Sequence, residues 1–154
     1  MSEKFTTHAD GVASGTNKTI LNIFDPAATP VGRAGIYDVM VGSVASPADQ
    51  AAKFYLARTT GVGTEGSGFV PNNLDPGGPA GRCDSGVGTF SGEPTYTSNK
   101  ELLVFSVNQR ATFRFVAAPG SEILLAATQN NGAGLKTSSS TSTQAYEACI
   151  LFME

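Results

Sequence analysis

Between residues 100 and 154 short apolar runs alternate with compact turn signals, and this rhythm confines the chain to antiparallel β-structure. Residues 101–107, 111–116, 121–126 and 146–153 have the length and the β-branched and aromatic content of strands. Ala118-Pro119-Gly120-Ser121 puts Pro and Gly at the centre of a type II turn, and Asn130-Asn131-Gly132 tolerates positive φ. Asn108-Gln109 sits where a two-residue hairpin turn would join neighbouring strands. Tight reversals make antiparallel neighbours, so the residues call for an all-β sandwich, barrel or jelly roll and not a βαβ sheet.

Upstream, the apolar run 18–24 is a strand broken by Asp25-Pro26, because Pro lacks a ladder donor and restricts the residue before it. Residues 35–42 form another, with Tyr37, Val39 and Val41 on one face and Asp38 on the other. Ser46-Pro47-Ala48-Asp49 carries the cap and first-turn residues of one or two helical turns through about Ala52, before a strand at 53–59. The rest of 1–33 is polar, so it reads as an extended N-terminal arm docking on the body or a partner, with 34–154 as the β-domain. Residues 60–94 form a long Gly-rich loop, and 137–143 a Ser/Thr loop tip.

At 154 residues the chain fits one domain with a core that needs no staples. Its net charge of −3 provides no broad basic face, so nucleic acid is a poor partner. The first residues lack the apolar core of a signal peptide and no stretch has the length to span a bilayer, so a soluble product made in the cytoplasm is expected, without membrane association. In that compartment Cys83 and Cys149 stay unbridged, and Cys149 reads as a small buried hydrophobe.

Catalytic chemistry finds little material. His8 is the only histidine and has no nucleophile elbow near it in sequence. Cys83, Cys149 and His8 lack the paired spacings of a zinc site, while Asp75 and Asp84 read as solvated turn residues and match no calcium motif. Gly61-Val62-Gly63-Thr64-Glu65-Gly66 lacks the helix that would aim amides at a pyrophosphate. Tyr55 and Tyr96 are candidate sugar-stacking rings, though the chain has no Trp. The expectation is a protein that is not an enzyme and uses no cofactor or metal.

A sheet with one wet face is apolar on one side only. Here Tyr146, Ala148, Ile150 and Phe152 alternate with Cys149, Leu151 and Met153, and Leu103, Phe105 and Val107 with Leu102 and Val104, so both faces are apolar. The second face calls for cover by the Gly-rich loop, the arm or a neighbouring subunit.

From Gly35 to Glu154 the sequence resembles the decoration, or cement, proteins on the heads of tailed bacteriophages. The resemblance is carried by Ile36-Tyr37-Asp38-Val39-Met40-Val41-Gly42-Ser43, by Ser46-Pro47-Ala48-Asp49, by Leu74-Asp75-Pro76-Gly77, by Glu93-Pro94-Thr95-Tyr96-Thr97 and by the stretch from Asn108 to Gly120. It implies an antiparallel β-sandwich of jelly-roll type. It further implies a homotrimer on the outer surface of the virion capsid that bridges capsomers of the major capsid protein. On that reading Leu102, Val104, Cys149, Leu151 and Met153 are expected at the trimer interface, and Ile20, Leu21, Ile23 and Phe24 of the arm on the capsid. The alternative is a carbohydrate- or receptor-binding β-module of a phage fibre or tail.

Overall fold

A computed structural model describes residues 2–13, 15–44, 46–138 and 144–154. The strands are β1 (Lys4–Ala13), β2 (Thr19–Phe24), β3 (Gly35–Val44), β4 (Ala51–Gly61), β5 (Ser67–Phe69), β6 (Asn72–Asn73), β7 (Asp84–Val87), β8 (Thr95–Asn108), β9 (Phe113–Val116), β10 (Ile123–Leu124), β11 (Gly132–Thr137) and β12 (Ala145–Met153). They form two antiparallel sheets, so the protein is an all-β sandwich. The first sheet runs β10-β3-β12-β1-β6, with β9 pairing β3 on the same side as β10; the second runs β5-β7-β2-β11-β4-β8.

The segment expected to be an arm is instead woven into both layers. β1 lies between β12 and β6, and β2 between β7 and β11. A six-residue apolar run cannot bury itself, and its polar predecessor pairs beside β12 because Phe5, Thr7 and Ala9 alternate inward with Thr6 and His8 outward.

The core lies between the layers. Phe5, Ile36, Val39, Val41, Tyr146, Ile150 and Phe152 of the first sheet meet Leu21, Ile23, Phe54, Leu56, Ala133 and Leu135 of the second, all essentially solvent-free. Aromatic rings join Phe5 to Phe152, and Phe54 to both Phe105 and Tyr146. The Thr7 and Ser85 hydroxyls meet at 2.5 Å across the sandwich. Ser85 donates to the Phe69 carbonyl, so Thr7 is the donor between the hydroxyls.

Three local expectations differ from the fold. A bulge in β3 against Leu151 and Phe152 sends Ile36, not Tyr37, inward with Val39 and Val41. No helix forms among the described residues. Ala48 N–H donates to the Gln109 side chain at 3.0 Å and Asp49 accepts from Asn108, so partners across the chain replace the helical turn. Asn108-Gln109 is not a hairpin turn either, because β8 and β9 belong to different sheets and the chain crosses the sandwich there. The 118–121 reversal does close as expected, with Ser121 N–H on Ala118 O and Gly120 at φ +81°. Most of the Ser/Thr tip, residues 139–143, lies outside the described residues.

The Gly-rich segment is built in as well. Its β7 pairs with β2, and Thr64 bridges to Gly92. Asn22, which points out of the sandwich, donates to Val62 O and accepts from Gly86 N–H, both within 2.9 Å. This segment therefore covers the outer face of β2, which is buried along its whole length.

Candidate interaction surfaces

The four residues expected to touch a capsid cannot do so in this fold. Ile20, Leu21 and Ile23 are fully buried and Phe24 nearly so, because β2 is inside its sheet and covered on both faces. The five residues expected at a trimer interface do not share one face. Cys149, Leu151 and Met153 look out from the first sheet, whereas Val104 looks out from the second in the opposite direction, and Leu102 lines the flank between the sheets.

The outer face of the first sheet is built by register. Cys149 lies between Met40 and His8, Leu151 between Asp38 and Thr6, and Met153 between Gly35 and Lys4. Met40, Cys149, Leu151 and Met153 are each half-buried, leaving an apolar strip partly open. At one side Arg114 holds Asp38 by a two-pronged contact, with Nη2 to Oδ2 at 2.6 Å and Nε to Oδ1 at 3.1 Å. That pairing raises the Arg114 guanidinium pKa and satisfies a carboxylate that is only 3% exposed. Val116, beyond the pair, is 58% exposed. Beside the strip lies a depression of about 360 Å³ lined by His8, Asp10, Met40, Thr112, Glu147 and Cys149. Met40, Val116 and the Asp38–Arg114 pair were not singled out from sequence. The outward placing of Asp38 and Arg114 on their strands was the available signal.

The second surface is the flank where β8 closes one sheet and β9 and β10 close the other. Leu102, Ile123 and Leu124 line a groove of about 620 Å³ there with Arg33 and Arg58. Arg58 spans the two sheets by donating to Leu124 O at 2.9 Å.

The remaining candidates are scattered. His8 is in paired strand, edge-on to Phe69 at 4.9 Å between centroids. Asp75 binds the amide of Gly77 in its own turn. Lys53 and Lys136 lie over the Tyr55 ring, and Lys136 also sits 4.2 Å from the centre of Tyr96, whose hydroxyl meets Thr19. Both tyrosines thus carry ammonium groups where a stacked sugar would lie. Both cysteines are free thiols, and burial pushes the Cys83 thiol far up, keeping it inert. No group of three or more His, Cys, Asp or Glu among the described residues is placed to hold a metal ion.

Asp84 opens β7 close to other carboxylates. Burial first, then the charges of Asp25, Glu154 and Glu65, hold its pKa above the ordinary value. An acid whose folded pKa exceeds its unfolded one binds more protons when folded, so stability falls as pH rises from the unfolded to the folded pKa. Asp84→Asn should therefore unfold at higher temperature than the parent at pH 7, and the gain should vanish below about pH 4. Thermal melts across that range check it; an equal gain at every pH would remove the electrostatic account.

Comparison of the chain with family models, with curated proteins and with solved structures finds no match.

Proposed function

We propose that this chain is a cement protein of a tailed-phage head, trimeric and bound to the outer capsid surface, where it links capsomers of the major capsid protein. The observation that carries the reading is the half-open apolar strip of Met40, Cys149, Leu151 and Met153 on the outer face of the first sheet, with exposed Val116 beside it. A lone sandwich would present polar residues there, and the second sheet shows the contrast, since its apolar outer face over β2 is covered by the Gly-rich segment. The strip suits a subunit contact.

The strand order supports reading the sandwich as a jelly roll: β1-β12-β3-β9 in one layer and β2-β11-β4-β8 in the other place the first strands beside the last, as two Greek keys do. Jelly rolls are frequent in capsid and lectin domains. Contact with the shell then belongs to the loops, where Val31 and Val70 are largely exposed. The mechanism is linkage. A molecule that binds only the assembled, expanded shell stabilises it by its own binding free energy, without making or breaking a bond.

The purified chain should have the mass of a trimer and bind expanded empty heads. Leu151→Asp should separate the subunits while leaving the far-UV β-spectrum unchanged, because the side chain points away from the core. A stable wild-type monomer indifferent to heads would overturn the reading, and global unfolding of the variant would place Leu151 in the monomer core.

A further inference from the structure

Part of the flank between the sheets is filled from within and part is open. Phe113 of β9 stacks face to face on Phe105 of β8, which joins the two layers there. Toward Ile123 and Leu124 the layers are joined instead by Arg58, and the groove of about 620 Å³ lies at that point. Arg58 follows Phe54 and Leu56 on the inward side of β4, so its guanidinium stands where the sandwich interior meets the flank.

The groove holds cations that this chain leaves unmatched. Arg82 is paired with Asp25 and Glu154, and Arg114 with Asp38. Arg58 has only the Leu124 carbonyl on Nη1, and no carboxylate pairs with it among the described residues. Arg33 is exposed and has neither a hydrogen bond nor an ion pair among the described residues. Glu122, the one carboxylate lining the groove, is engaged in its own turn by the Gly120 N–H at 3.0 Å. The backbone adds a donor. Leu125 N–H binds Ala34 O, so the groups of Leu124 point away from β3, its carbonyl to Arg58 and its N–H to the same side.

The geometry points to this groove as the docking site of an extended segment of the major capsid protein that carries a carboxylate beside aliphatic side chains. The acid would lie between Arg33 and Arg58, and the aliphatic groups on Leu102, Ile123 and Leu124. Charge complementarity selects the acid, because guanidinium groups bind carboxylates through paired N–H bonds. The apolar lining selects a peptide over a bare anion, which would leave Leu124, 46% exposed, in water. The source of the segment rests on the proposed function, whereas its chemistry rests on the groove. The site is on the flank, apart from the Leu151 strip, so one subunit can use both.

Titration of the isotope-labelled full chain with an acetylated, amidated hexapeptide of alternating leucine and glutamate tests the site. Saturable shifts of the Leu102 and Leu124 amide signals should appear with a midpoint of about 1 mM or below. Arg33→Gln, at an exposed position, should weaken binding roughly tenfold with an unchanged β-spectrum; Arg58→Gln and a peptide with glutamine for glutamate should do the same. Added salt should weaken it as well. The Arg33→Gln, Arg58→Gln double variant should lose affinity for expanded empty heads. The inference is overturned by an absence of saturation, by binding indifferent to Arg33→Gln or to the glutamine peptide, or by equal shifts from sodium acetate, which would mark a bare anion site. Self-association abolished by Arg33→Gln would give the groove to a second copy and overturn it too, as would head binding untouched by the double variant. Heads bound by a chain that ignores the peptide overturn this inference alone and leave the proposed function in place.

Discussion

Ile23→Asp is expected to yield no folded protein. The Ile23 side chain is fully buried between the layers, and β2 is hydrogen-bonded on both sides. Deleting a buried aliphatic side chain costs ~2–5 kcal/mol even with alanine in its place. An unpaired carboxylate in that setting adds several kcal/mol more, enough together to match the ~5–15 kcal/mol by which a domain is stable. Circular dichroism and chemical denaturation read this directly. The outcome also separates two roles for the N-terminal third: a docking arm carrying Ile23 on its surface would leave Ile23→Asp folded and defective only in binding.

Gly132→Ala should be the most damaging of the small substitutions. Residue 132 starts β11 against both Phe24 and Thr59, and a β-carbon there would run into the Ile23 carbonyl oxygen and lie 2.8 Å from its carbon and 3.0 Å from Phe24 Cα. These are backbone atoms at the centre of a sheet, so the strand pair must part. A loss of ~3 kcal/mol or more is expected, at the upper end of overpacking. Gly134→Ala, two residues on, is the control. There the new carbon meets the Tyr96 side chain, which can swing aside at the expense of its Thr19 hydroxyl contact. Denaturant midpoints of the two variants should differ clearly; equal losses would show that the approach of β2 to β11 is not the critical one.

The interaction surfaces were half legible in advance. The doubled apolar pattern of 146–153 singled out Leu151 and Met153, and both are half-open on an outer face. The run 18–24, short and set in a polar segment, reads in sequence as part of a docking arm. Both strands are apolar on two faces, but β2 has the Gly-rich segment laid over it, and nothing in either strand's own residues states which neighbour will cover it. Grouping Leu102 and Val104 with Cys149, Leu151 and Met153 failed for a related reason. Alternation tells which residues of a strand share a side, not which side of the sandwich that is.

Chain-local chemistry was enough to determine the all-β class, most strand positions and the 118–121 turn. Side-chain period, β-branching and the φ demands of Pro and Gly act within a few residues. Tertiary structure alone decided that 4–24 supplies a strand to each layer, that β8 and β9 part company at Gln109, and that Ile36 displaces Tyr37 inward. Those outcomes rest on pairings between residues far apart in sequence, such as Phe5 with Phe152 and Leu21 with Leu135, whose energy appears only when distant segments meet.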